Sequence, residues 1–319
     1  MIQSFFLQHS YLIGLISFVL GLIGMPLVVR IAKAKGFVVR PNKRMSHTGE
    51  VPNIGGLNIC FSFMLTYLLF EYNQLSQSQF FLVGLFAIMS VGFIDDVLIL
   101  TPIAKLLGEA LAGIALIGFA DLRITYLHGL FGITEIGIIP SYLISLFILV
   151  AIIDAVNLID GLDGLAVGVS AISSITMLVV SLLVADPVVS IILAALAGAC
   201  LGFMPYNFNP AKIFMGDVGS QFLGFVLGVV SIMGLFKFQA IITFIVPLLA
   251  LAVPLADTIF AFIRRILKGQ SPFHADKGHF HHRLMATGLS QKQTVAVLYG
   301  VSAIMGLFAV LISGHNSLI

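Results

Sequence analysis

Apolar residues in this chain neither alternate nor favour one helical face; they run on for roughly 15–24 residues and stop at short polar breaks. A hydrocarbon core of about 30 Å takes about 20 helical residues, so the pattern predicts about ten membrane-spanning helices. The segments are 11–29, 52–70, 80–94, 103–120, 138–153, 165–184, 188–204, 220–236, 240–263 and 294–313. An all-α, polytopic integral membrane protein follows, because a helix satisfies its own backbone in lipid. No Lys or Arg precedes Arg30, and the first run is longer than the apolar stretch of a secretory leader. It is expected to be retained as the first span.

Composition sharpens this picture. The chain is 59% hydrophobic and 9% charged, with a mean hydropathy of +1.11. Soluble domains are about one quarter charged, and no polar stretch here is long enough to build one. Residues 1–319 are therefore read as a single transmembrane domain. A net charge of +2 gives no ground for a nucleic-acid partner. Cys60 and Cys200 lie inside apolar runs without paired spacing, which argues for buried thiols over a disulfide framework or structural zinc site. With ten spans, all of the 16 basic residues except Arg123 and Lys237 fall on one side. The positive-inside tendency makes that side cytoplasmic and both termini external.

Polar groups interrupt the runs in four places, all on the basic side. They are Gly92–Asp96, Asn157–Gly164, Phe214–Asp217 and His274–Arg283. A charge within a span costs about 2.5–3.5 kcal/mol even on the lenient insertion scale, so such groups usually serve a function. Asp95 and Asp96 close the third span, where adjacent side chains point about 100° apart. They read either as a solvated cap or as a base beside a cation site. Lys105 opens the next span; it either holds an anion or pairs with Glu109 four residues on. In Asp154-Ala-Val-Asn157-Leu-Ile-Asp160-Gly-Leu-Asp163-Gly164 a polar group recurs every third residue. A continuous helix would put Asp154 and Asp163 on opposite sides, so Gly161 and Gly164 predict a break that folds the later acids back.

Phe214-Met-Gly216-Asp217-Val-Gly219-Ser220 leads into a span. Glycines flanking one acid at a helix start allow close approach by a ligand, and the terminal amides favour an anion. Taken alone, Asp217 is equally a simple partner of the helix terminus. His279, His281, His282 and Arg283 suit phosphate oxygens better than a metal. The oxygen donors of the other clusters match magnesium or manganese. A solvated basic loop is the plain alternative.

In combination, these stretches resemble the polyprenyl-phosphate N-acetylhexosamine-1-phosphate transferases, in particular the N-acetylglucosamine branch, from about Gly36 to Arg283. Pro254-Leu-Ala-Asp257-Thr258 and Arg264-Arg265 fit the same family. The resemblance implies transfer of N-acetylglucosamine 1-phosphate from UDP-N-acetylglucosamine to undecaprenyl phosphate at the cytoplasmic face of a bacterial inner membrane. UMP is released, and this is the first membrane step of a surface or cell-wall glycopolymer. It further implies Mg2+, with Mn2+ able to substitute, bound by Asn157 and Asp217. Lys105 would contact diphosphate, Phe214 would stack on uracil, and Asp163, with Asp160 nearby, would meet the nucleotide. Asp95, with Asp96 as its alternate, would be the base acting on the lipid phosphate. His279, His281, His282 and Arg283 would close over diphosphate and sugar.

Membrane lipid is an expected partner, and a homodimer is compatible with the resemblance. In the first loop, Val39 and Met45 depart from the family's Asp and Lys; Ile103 replaces the first of two lysines usual after the acidic pair. Another UDP-N-acetylhexosamine donor is the nearest alternative. A cation-coupled transporter, with its acids spread across the membrane, is the alternative from another class.

Overall fold

The structure is a computed structural model and describes residues 9–39, 50–71, 75–125, 135–237, 242–269 and 278–316. Arg40–His47 of the first loop, and His274, Asp276 and Lys277, lie outside the described residues. Twelve helices and one two-stranded ribbon are found among those described. In chain order they are α1 (Ser10–Lys35), β1 (Val38–Val39), β2 (Val51–Pro52), α2 (Gly56–Glu71), α3 (Leu75–Leu98), α4 (Pro102–Phe119) and α5 (Ile138–Leu158). There follow α6 (Leu165–Leu183), α7 (Pro187–Asn207), α8 (Gly216–Lys237), α9 (Ile242–Ala250), α10 (Ala252–Leu267), α11 (Phe280–Ala286) and α12 (Gln291–Asn316).

Eight of these helices are long and apolar enough to cross a membrane, and α9 with α10 make a ninth only as a pair bent by 85°. The expected straight span 240–263 is therefore broken. Pro254 accounts for the restart: it occupies the first turn of α10, where a missing N–H costs nothing. The expected span 52–70 is a shorter apolar helix, Gly56–Phe70. Two expected spans run further than their apolar runs. Helix α3 carries Asp95 and Asp96 inside its last turn, and α5 carries Asp154 and Asn157. Partners on neighbouring helices let several of these polar groups stay helical.

Helix α8 lies at the centre of the bundle, packed against α3 and α5, and is largely buried, as are α7 and α6. On α5, Ile139, Leu143 and Phe147 recur every four residues and are exposed, as a lipid-facing stripe should be. Helices α1 and α7 meet through small residues: a Cβ on Gly198 would collide with the Gly14 carbonyl, and one on Gly202 with the Phe18 carbonyl. Ser17 Oγ donates to the Ala195 carbonyl at 2.7 Å across this seam. Close approach of this kind drives helix association where lipid removes the hydrophobic term. Cys60 and Cys200 are buried free thiols.

The ribbon pairs Val38 with Pro52 and Val39 with Val51, antiparallel. Its second strand continues into a backbone ladder with the segment before α8. Phe214 N–H donates to Pro52 O at 2.8 Å, Gly55 N–H to Phe214 O at 3.0 Å and Gly56 N–H to Met215 O at 2.8 Å. This clamp fixes the start of α8 relative to the first half of the chain.

Candidate active site

Four helix ends meet at one end of the bundle: the last turns of α3 and α5 and the first turns of α4 and α8. Thr101 and Pro102 start α4, with the Thr101 hydroxyl accepting from Ala104 N–H. Lys105 is thereby set in the first turn. Its ammonium contacts Asp217 and lies 2.9 Å from Asn157 Oδ1 and 3.0 Å from Asp95 Oδ2. Lys105 thus bridges three helices rather than pairing with Glu109. Asn157 Nδ2 donates to Asp217 Oδ1 and to Ser220 Oγ, both at 2.7 Å.

The two adjacent acids diverge as helical geometry requires. Asp95 Oδ1 accepts from Leu100 N–H at 2.8 Å while Oδ2 faces Lys105. Asp96 turns to the start of α8, where its carboxylate accepts from Asp217 N–H at 2.8 Å and Val218 N–H at 3.0 Å. It caps that helix from another element, satisfying donors that α8 cannot satisfy itself. Gly216 is required there: its φ is +75°, and a Cβ would press on the Asn53 carbonyl and the Asp96 carboxylate.

Helix α5 ends at Leu158, and the predicted break follows, with Gly164 at φ +81°. Asp160 lies in this break. Burial first, then the charges of Asp217, Asp96 and Asp163, push its carboxyl up to about 8. Asp163 Oδ2 accepts from Asn209 Nδ2 at 2.9 Å and Ala211 N–H at 3.1 Å, tying the break to the segment that leads to Phe214. Asn207 spans the same gap, accepting from Gly164 N–H at 3.0 Å and donating to Ile213 O at 2.9 Å. Tyr299 of α12 donates to the Gly164 carbonyl. Phe214 is half-buried at the junction of this segment with the β2 ladder.

The histidine helix is moored from below. Asp257 of α10, 2% exposed, lies 2.9 Å from His279 Nδ1 and accepts from Phe280 N–H at 2.7 Å. Arg264 donates to the Gly278 carbonyl at 2.7 Å. This brings His281 over the break, where a Cβ on Gly161 would come within 2.6 Å of His281 Nε2. Burial, reinforced by the neighbouring His282, lowers His281 to about 4, so its imidazole is neutral near pH 7. His282 packs against His281 with ring centroids 4.2 Å apart. Arg283 instead helps line an apolar cavity of about 510 Å³ between α10, α11 and α12, with Val253, Leu284, Val297, Val301 and Met305.

Asp95, Asp96, Lys105, Asn157 and Asp217 are therefore one contact network, with Asp160 within electrostatic range of it. Asp163 and Phe214 are joined to it through the 207–214 segment, and His281 through Gly161. Sequence reading missed Asn53, Asn207, Asn209 and Tyr299, gave Ser220 no role of its own, and did not foresee Asp257 as an anchor. The run Asn207-Phe-Asn209-Pro210 at the end of an apolar span was the one available signal.

The chain is 36% identical over 301 residues to the "probable undecaprenyl-phosphate N-acetylglucosaminyl 1-phosphate transferase" of Bacillus subtilis, covering 93% of this chain and 83% of the relative. The profile of glycosyl transferase family 4 matches residues 78–235.

The chain belongs to glycosyl transferase family 4.

Further relatives include the decaprenyl-phosphate N-acetylglucosaminephosphotransferase of Mycolicibacterium smegmatis, at 32% identity over 92% of this chain and 79% of the relative. The undecaprenyl-phosphate alpha-N-acetylglucosaminyl 1-phosphate transferase of Escherichia coli K12 is 28% identical over 88% and 78%. The resemblance read from the motifs is thereby borne out. The family match runs from α3 to α8 and so includes Asp95, Lys105, Asn157 and Asp217, while Asp257 and the histidine helix lie beyond it.

Proposed function

We propose that this protein transfers N-acetylglucosamine 1-phosphate from UDP-N-acetylglucosamine to undecaprenyl phosphate, releasing UMP. One observation carries the reading: a lone ammonium, Lys105, held by oxygens of Asn157, Asp95 and Asp217 where four helix ends meet. That position is suited to cations, and the ammonium it now holds is itself suited to a phosphate oxygen. The names of the relatives, all polyprenyl-phosphate transferases of N-acetylglucosamine 1-phosphate, support the choice of substrates.

The donor chemistry fits magnesium. Among the described residues no three His, Cys, Asp or Glu side chains form a metal cluster. Magnesium binds readily through one or two carboxylates, with substrate phosphates and water completing its shell. Asp217 and Asn157 would hold it, and when bound it would neutralise diphosphate charge and aid departure of UMP. In this mechanism an oxygen of the lipid phosphate attacks the sugar-bearing phosphorus and the bond to the UMP oxygen breaks. Lys105 then turns to the diphosphate, where it offsets charge in the transition state.

Asp95, whose Oδ2 is paired with Lys105, orients that ammonium and is the acid nearest to serve as a base. Asp96 positions α8 through its backbone amides. Neutral His281 over the Gly161 break donates to the diphosphate or sugar, with His279 orienting the helix through Asp257. The apolar cavity with Arg283 suits the lipid tail and its phosphate. A cytoplasmic orientation is supported by Lys33, Lys35, Lys212, Arg264 and Lys292 lying at helix ends or loops on the basic side, with Arg123 at the opposite end of α4.

The test is UMP release by detergent-solubilised protein given donor and undecaprenyl phosphate, with no closed compartment. Wild type should turn over and Asp217→Asn should not, while remaining folded. Folded wild-type protein inactive with every UDP-N-acetylhexosamine tried would overturn the proposal in favour of the transporter.

A further inference from the structure

Beneath the contact network lies a second polar layer that the proposed chemistry does not use. Glu109 follows Lys105 by four residues on α4, Gln221 follows Asp217 by four on α8, and Asp154 precedes Asn157 by three on α5. Each stands one helical turn deeper, on the face that bears the upper residue. Packing confirms the shared level. Gly224 of α8 abuts Ile153 of α5, and Gly84 of α3 abuts both the Ala112 carbonyl of α4 and the Phe225 ring of α8. Glu109 and Gln221 are both 0% exposed, and none of their side-chain oxygens or nitrogens has a hydrogen-bond partner. Glu109 lies within electrostatic range of Asp154, Lys105 and Asp217.

A buried carboxyl without a partner is costly in a membrane helix, and a cation that reached it would relieve that cost. The Lys105 ammonium, four residues earlier on the same helix, is a mobile cation within reach of it. In the structure it sits on the same Asn157 and Asp217 oxygens that the proposed function assigns to a divalent cation. The two positive charges therefore compete for those oxygens.

Resting on that reading, we propose that Glu109 is a second seat for Lys105, taken when a divalent cation is bound and nucleotide is absent. The side chain need only swing along its own helix, because an i, i+4 pair is within reach without backbone movement. Asp154 and Gln221 are placed to complete the seat with a carboxyl oxygen and an amide oxygen. The same seat keeps the ammonium one turn from the diphosphate position. Nucleotide can then recruit Lys105 upward in exchange for Glu109.

The experiment is a double-mutant cycle read by Mn2+ binding, measured by electron paramagnetic resonance on the full chain in detergent without nucleotide. Glu109→Gln should weaken Mn2+ binding about tenfold, because the displaced ammonium has lost its acceptor. In a Lys105→Met background, where no ammonium competes, Glu109→Gln should leave Mn2+ affinity unchanged. An equal loss in both backgrounds, or none in the first, overturns the seat. Should Glu109→Gln not fold, Glu109→Asp withdraws the carboxylate by one methylene and is read in the same way. The proposed cation site fails separately, if Asp217→Asn binds Mn2+ as tightly as wild type. Wild type that binds no Mn2+ overturns both.

Discussion

Replacing Asp96 by Asn separates a positioning carboxylate from a proton-accepting one. In the structure the Asp96 carboxylate receives Asp217 N–H at 2.8 Å and Val218 N–H at 3.0 Å. A hydrogen bond to a charged group contributes about 1.5–3 kcal/mol, and an orphaned buried donor costs about 1–3 kcal/mol. Asn is isosteric but keeps only one acceptor atom. It can hold one amide and must turn its own NH2 toward the other. The expected loss is about 2–4 kcal/mol, concentrated at the start of α8. Because Asp217 is the first acid of that helix, a shift of about 1 Å there should lower turnover by about 100-fold.

The assay is UMP release across pH 5–9 alongside thermal unfolding in detergent. A positioning role lowers the whole pH–rate profile without changing its shape, together with a loss of stability. If Asp96 were also the base, the acidic limb of the profile would vanish in addition to that loss. Wild-type stability and turnover within twofold of wild type would refute the capping argument altogether.

Two further expectations concern the histidine helix. His281 is lowered to about 4 by burial, whereas an unfolded histidine titrates near 6.5. Below about pH 6.5 the unfolded chain takes a proton that the folded chain refuses, so stability should fall from there to about pH 4, by about 3 kcal/mol in all. Thermal unfolding against pH should show that slope, and His281→Gln should flatten it; parallel curves for the two proteins would contradict the burial argument. Gly161→Ala adds a Cβ 2.6 Å from His281 Nε2 without straining the backbone, since Gly161 is not in the left-handed region. It should raise the KM for the nucleotide sugar about tenfold, or about 1.4 kcal/mol, with folding unchanged. Unaltered kinetics would detach His281 from the donor site.

Long apolar runs determine spans because hydrocarbon leaves a helix no other backbone partner, so membrane class and nearly every span could be read from the chain alone. The polar clusters stood out for the same reason: Asp95, Asn157 and Asp217 are too costly in lipid to be incidental. The break at Gly161–Gly164 was legible because a continuous helix would have scattered its acids. What each side chain does there was not legible. That Asp96 caps α8, that Asp163 ties the break to Asn209, and that Lys105 leaves Glu109 unpartnered are outcomes of contacts between residues far apart in the chain. The 85° bend after Ala250 and the ladder from Pro52 to Phe214 belong to the same class. A carboxylate's role is decided by which donor reaches it, and in this bundle that donor arrives on another helix; composition and period carry no record of which helix that is.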